Sequence, residues 1–313
     1  MSVDLSGMFQ RRQGRDIVHR WEGNPYITIH DLDFQVSDIH NANAIEFQGQ
    51  LFLLVTIESL SGVRCIHLAR PQHDGVFRVD TQPFLQPSTD PPFAEHESRG
   101  VMDVRATCLD GVYYLMYVAL GRHGYRLGIA QTASFESVTK IGMVSEPDTK
   151  AGALFPKKIG DRFVRLERPS SGSSIWVSYS RDLIYWGDTE LVMMPRGGFW
   201  DSNRIGVGPV PMETERGWLL IYYGVKDTSA GSIYRIGAAV LDRDDPTKVV
   251  GRTGVPILSP RETYERLGDL QNVVFCTGAY LDDRDKLHLF YGASDSCICI
   301  GRTTLDEIFD ELI

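Results

Sequence analysis

Five pairs of short apolar strands, set at recurring intervals, constrain this chain more than any other feature of its sequence. The first members span 52–55, 113–117, 163–166, 218–222 and 287–291. The second members span 66–69, 126–130, 175–179, 234–238 and 297–300. The unit recurs roughly every 50 to 70 residues, the length of one four-stranded propeller blade with generous loops. The pattern predicts an all-β chain, a five-bladed β-propeller with a central axial active-site funnel. Residues 1–20 read as an N-terminal extension and 21–313 as a single propeller domain. Five blades bring strand ends that are distant in sequence to one mouth, a place suited to a sugar.

Composition narrows the partners. The net charge of −9 argues against a nucleic-acid footprint. No apolar run approaches the roughly 20 residues of a membrane span. The polar stretch from Met1 to Asp16 has no apolar signal core. Five cysteines without framework spacing fit reduced thiols, so a cytoplasmic setting is expected. Cys297 and Cys299 on one strand would share a face, yet no second cysteine pair completes a metal site. The histidines lack zinc spacing, and no metal or cofactor is expected.

Turn residues punctuate each repeat before its first strand, as in Leu109-Asp110-Gly111 and Ile159-Gly160-Asp161. The strongest loop signal is 86–92, rich in proline. Helix signal is confined to 261–267 and 305–312, the latter with Thr304 and Glu307 placed as a capping box. Glu58, Arg168, Asp227 and Asp295 each close an apolar strand, and would matter together if those ends converge.

Ten segments, in order, carry a family resemblance. They are 19–25, 41–44, 100–105, 153–159, 167–170, 200–209, 234–239, 244–246, 272–275 and 291–295. Among them are Gly100-Val101-Met102-Asp103-Val104-Arg105 and Glu167-Arg168-Pro169-Ser170. Over nearly its whole length the chain resembles glycoside hydrolase family 130, the inverting β-mannoside phosphorylases and related mannosidases. The resemblance implies attack of inorganic phosphate, as co-substrate, on a β-mannoside, a β-1,2- or β-1,4-linked manno-oligosaccharide. The products would be α-mannose 1-phosphate and a shortened acceptor. Phosphate is already an anionic nucleophile, so such a site needs one carboxylic acid plus cations for the phosphate.

By the resemblance, Asp103 is the proton donor. Arg168 is a phosphate ligand, its guanidinium fork matching two oxygens. Lys150, Arg204 and Tyr234 fall at cationic or hydroxyl contacts to phosphate or the adjoining sugar, although Lys150 also reads as a solvated loop lysine. Asn41 and Asp295 match contacts to the mannosyl hydroxyls. Asn272 and His123 are candidates for the acceptor side, with a plain loop role as the alternative. Trp200 and Phe199 could stack on a sugar or pack between blades. Arg105 could pair with a neighbouring carboxylate. Family members often assemble as homo-oligomers through surface loops and terminal segments.

The chain departs from the family pattern around the acid. Met102 stands where the family has glutamate, Val104 where it has proline, and Thr56 where relatives carry an arginine. Three readings stay open: a phosphorylase with altered linkage or acceptor preference, a β-mannoside hydrolase, and a catalytically silent carbohydrate-binding propeller. The hydrolase would need a second carboxylate, with Glu58 or Asp227 as the candidates.

Overall fold

The computed structural model describes residues 8, 9, 14–72 and 75–313. Its strands form five antiparallel meanders. The first runs Asp38–Phe47, Gln50–Glu58, Arg64–Pro71 and Phe77–Val79. The second runs Gly100–Leu109, Val112–Gly121, Gly124–Thr132 and Thr139–Met143. The third runs Thr149–Leu154, Phe163–Pro169, Ile175–Ser180 and Trp186–Met193. The fourth runs Arg204–Val207, Gly217–Thr228, Gly231–Leu241 and Val249–Arg252. The fifth runs Val274–Leu281, Lys286–Ala293 and Cys297–Thr304, and its outer places go to His19–Arg20 and Ile27–Thr28. A lone parallel bridge, Arg64 to Gly100, joins the first two meanders into one eight-stranded sheet.

Five apolar clusters lie between consecutive meanders: third with fourth, fourth with fifth, fifth with first, first with second, and second with third. Trp218, fully buried on the fourth, meets Phe155 beside the third edge to face at 5.0 Å. Burying one such ring contributes roughly 1.5–3 kcal/mol. The leading strands of successive meanders also touch, from Val274–Leu281 through Asp38–Phe47, Gly100–Leu109 and Thr149–Leu154 to Arg204–Val207.

The strand pairs legible in the sequence are the second and third strands of each meander. The leading strands escaped the periodicity because bulges interrupt several of them. The register shifts between His40 and Ala42, Met102 and Arg105, Lys150 and Ala153, and Cys276 and Gly278. A bulge breaks the inside–outside alternation that marks a strand and re-aims its side chains.

Residues 16–20, read from sequence as part of an extension, are built into the fifth meander. His19 and Arg20 pair with Arg302 and Gly301. Arg20 is buried and donates from Nε and Nη2 to the two Glu265 oxygens at 2.8 and 2.9 Å. Buried Asp16 accepts from Arg20 and from Arg261. Glu265 lies in the helix Thr263–Arg266, within the expected 261–267. The helix Leu305–Asp310 carries the anticipated cap, Thr304 Oγ1 accepting from Glu307 N–H. A further short helix, Ala94–Glu97, follows the proline-rich loop. Cys297 and Cys299 share a face, their sulfurs 3.9 Å apart in the core. No helix of the described residues is long and apolar enough to cross a membrane.

Candidate active site

Leading strands and strand ends of all five meanders converge on a cavity of about 450 Å³. Seven residues singled out in the sequence line it: Asn41, Asp103, Lys150, Arg168, Arg204, Tyr234 and Asp295. Asn272 and His123 lie outside the lining. The Asn272 carbonyl accepts from Tyr234 N–H, behind the cavity wall. His123 sits exposed in the turn between Val112–Gly121 and Gly124–Thr132. Of the two candidate bases, neither Glu58 nor Asp227 lines the cavity. Glu58 is paired with Arg64, and exposed Asp227 accepts from Ser232 Oγ.

Two bulges aim Asp103 and Asn41. Asn41 and Asp103 both adopt left-handed backbone, with φ of 52° and 55°. Asn and Asp tolerate this conformation better than other residues with a Cβ. Asn41 Nδ2 donates to Asp103 Oδ1 at 2.7 Å. Thr56 Oγ1 accepts from Asp103 N–H at 3.1 Å, so this hydroxyl steadies the Asp103 backbone. Arg105 is fully buried and bonds no carboxylate among the described residues. It donates to the carbonyls of Asp103, Val207 and Gly208, clamping the second meander to the fourth. Met102 Sδ accepts from Arg64 Nη1 at 3.5 Å.

The walls have opposite charge. The third and fourth meanders supply Lys150, Arg168 and Arg204. Lys150 and Arg168 are cross-strand neighbours, and the Lys150 ammonium lies 3.4 Å from the Tyr125 ring centroid. Arg168 is buried and bonds Ser170 Oγ at 3.3 Å, while its Nε has no partner among the described residues. Arg204 donates to the Tyr234 hydroxyl. Among the described residues none of these three cations forms an ion pair with a carboxylate. Three other buried arginines meet carboxylates, whereas buried Arg105 is satisfied by three carbonyls. Arg20 meets Glu265, Arg165 meets Glu167, and Arg252 meets Asp201. Arg168 is buried without a carboxylate, beside half-buried Lys150 and Arg204, so this wall carries positive charge suited to an anion from outside.

The fifth, first and second meanders supply the acidic wall: Asp103, Asp269 and Asp295, with His40 and Arg64. Burial, reinforced by the Asp103 and Asp38 carboxylates, pushes the Asp295 carboxyl up to about 7. Asp38, close behind, is pushed up to about 6, chiefly by burial. Burial holds the His40 imidazole below its ordinary value, so it is neutral at pH 7. Sequence reasoning passed over His40, Arg64, Tyr125, Tyr223 and Asp269, because no spacing rule links them. Among the described residues no cluster of three or more His, Cys, Asp or Glu is placed to hold a metal ion.

Of the two aromatic candidates, Trp200 is a packing group and Phe199 lies at the surface. Trp200 stacks on Tyr222 at 5.6 Å and covers Gly224 and Gly237, where a Cβ would strike its ring. Phe199 is exposed beneath the Arg196 guanidinium. Neither lines the cavity.

Comparison with known proteins points to one family. The family model described as beta-1,4-mannooligosaccharide phosphorylase, glycoside hydrolase family 130, matches residues 10–312. A beta-1,2-mannobiose phosphorylase of Listeria innocua is 34% identical, the alignment covering 90% of this chain and 77% of that protein. A 1,2-beta-oligomannan phosphorylase of Thermoanaerobacter is 36% identical over 68% of this chain and 71% of its own. The solved structure of the beta-1,2-mannobiose phosphorylase from Listeria innocua, in complex with beta-1,2-mannobiose, superposes with a TM-score of 0.85 at 29% identity. That match covers 94% of this chain and 99% of the other. With the family model spanning nearly its whole length, this chain belongs to glycoside hydrolase family 130.

Proposed function

We propose that this protein is a β-mannoside phosphorylase, releasing α-mannose 1-phosphate from a β-1,2- or β-1,4-linked manno-oligosaccharide. The observation that carries this reading is the wall of three cations without carboxylate partners, facing the wall that holds Asp103. We further read the fold as a five-bladed propeller. Five meanders with a core cluster between every consecutive pair, the fifth with the first included, support that reading. Five free cysteines fit a reducing cytoplasm.

In the reaction, a phosphate oxygen attacks the anomeric carbon as the glycosidic C–O bond breaks. Asp103 gives its proton to the departing oxygen, directly or through a sugar hydroxyl, and a new C–O–P linkage forms on the opposite face. Inversion follows from that single displacement. Arg168, Lys150 and Arg204 hold the phosphate against repulsion from the sugar oxygens and the acidic wall, and Tyr234 adds a hydroxyl donor. Asn41 orients the Asp103 carboxyl, and Asp295 takes the mannosyl hydroxyls. Because phosphate is charged before it arrives, no base is needed, in contrast to inverting hydrolysis.

The test is incubation with β-1,2- and β-1,4-linked mannobiose, with and without phosphate, following mannose 1-phosphate and free mannose separately. Mannose 1-phosphate formed only with phosphate, and lost in Asp103→Asn, is the expected outcome. Free mannose at an equal rate without phosphate would instead make the protein a hydrolase. Neither product, with no sugar binding, would leave a silent propeller.

A further inference from the structure

Arg64 occupies a place in the cavity that the reaction scheme above does not use. Its backbone is pinned where the first two meanders meet, at the bridge to Gly100. Gly100 has φ of +130°, and a Cβ there would come within 2.6 Å of the Arg64 nitrogen and 2.8 Å of its carbonyl oxygen. Only a residue without a side chain allows that approach, so Arg64 is set in position by the chain itself. Its guanidinium is then held on two sides. Nε donates to Glu58 Oε2 at 2.7 Å, and Nη1 donates to Met102 Sδ at 3.5 Å. Nη2 makes no hydrogen bond among the described residues. The side chain is 30% exposed and lines the cavity.

The charge around Arg64 decides what it can bind. It acts electrostatically on Asp38, His40 and Asp295. Lys150, Arg168 and Arg204 stand on the third and fourth meanders, whereas Arg64 stands on the first. Its charge is already matched by Glu58, and Asp103, Asp269 and Asp295 share its part of the cavity. An anion brought there would meet those carboxylates. A neutral polyol would not, and a fixed planar guanidinium edge offers parallel N–H donors to two neighbouring hydroxyl oxygens. A positioned, half-buried donor of this kind also discriminates, because a sugar that cannot accept forfeits its bond.

We propose that Arg64 is a substrate-contacting, specificity-determining residue whose free guanidinium edge donates to vicinal hydroxyls of the sugar seated between Asp103 and Asp295. The proposal rests on the mannoside reading of the cavity. Glu58 and Met102 act here as positioning residues, fixing which guanidinium edge faces the sugar.

The experiment is steady-state phosphorolysis of β-1,2-mannobiose by wild type, Arg64→Gln and Arg64→Lys, varying mannobiose and phosphate in turn. Calorimetric titration with each ligand accompanies it. Loss of a charged hydrogen bond predicts a rise of about tenfold to a hundredfold in mannobiose KM and Kd for Arg64→Gln. Phosphate KM and Kd should stay within about twofold of wild type, and retained phosphate binding also reports a folded variant. Arg64→Lys keeps the charge but loses the fork, so it should share most of the defect, and it carries the comparison if Arg64→Gln does not fold. Unchanged mannobiose KM and Kd in both variants would overturn the proposal. So would an equal rise for phosphate, which would make Arg64 part of the anion site. If wild type cleaves mannobiose without phosphate, the phosphorylase reading fails, while the effect of Arg64→Gln on mannobiose KM still decides the role of Arg64. If wild type neither binds nor turns over mannobiose, both readings fall.

Discussion

Asp295 makes the electrostatics of the cavity measurable as stability. Burial, with Asp103 and Asp38 alongside, moves its carboxyl from the ordinary 3.8 to about 7. The folded state therefore holds this proton more tightly than the unfolded chain does. At pH 3 both states are protonated and Asp295 makes no pH-linked contribution. As pH rises past 4 the unfolded chain ionises while the folded protein keeps its proton, and stability falls until the folded group also ionises, near pH 7. The full penalty above that pH is on the order of 4 kcal/mol. Between pH 5 and pH 8 the part that develops is about 2.5 kcal/mol. Asp295→Asn removes the titration while keeping the side chain's shape. Urea unfolding of both proteins at pH 5 and pH 8 is the assay. The variant should gain about 2.5 kcal/mol relative to wild type on going from pH 5 to pH 8, since titrations common to both cancel. Equal pH dependence would refute the reasoning and place Asp295 in a solvated or cation-paired setting.

Two further outcomes are expected. Arg168→Gln should raise phosphate KM by about tenfold or more with a smaller effect on mannobiose KM, because a charged hydrogen-bond donor is lost from the anion wall; steady-state kinetics with phosphate varied checks this. Glu265→Ala leaves the buried Arg20 without its two-point partner and loosens the N-terminal strand from the fifth meander. It should cost about 3 kcal/mol, read from the urea midpoint, the low end for breaking a buried ion pair, because Arg20 keeps Asp16 as its other carboxylate.

The departures around the acid acquire physical meaning only in three dimensions. Met102 accepts a weak hydrogen bond from Arg64, and Thr56 accepts from the backbone of Asp103, so both serve the first and second meanders' share of the cavity. Arg105 could be foreseen as structural, but its partners could not. Three backbone carbonyls, two of them from the fourth meander, take the place of the expected carboxylate.

By itself the sequence determined the repeat, its β character and the family, because apolar alternation in the second and third strands and ten ordered segments are local properties. It also supplied seven residues that line one cavity. The tertiary structure decided what locality hides. Bulges at Asn41, Asp103 and Ala151 erase the alternation in three leading strands, and those strands build the site. Residues 16–20 read as part of an extension until Arg20 meets Glu265, 245 positions away. Asp295 and Arg64 are unremarkable charges in the sequence. Burial beside other carboxylates sets the proton affinity of the first, and the missing side chain of Gly100 sets the position of the second. Both effects depend on the distances between meanders, which the order of residues along the chain does not record.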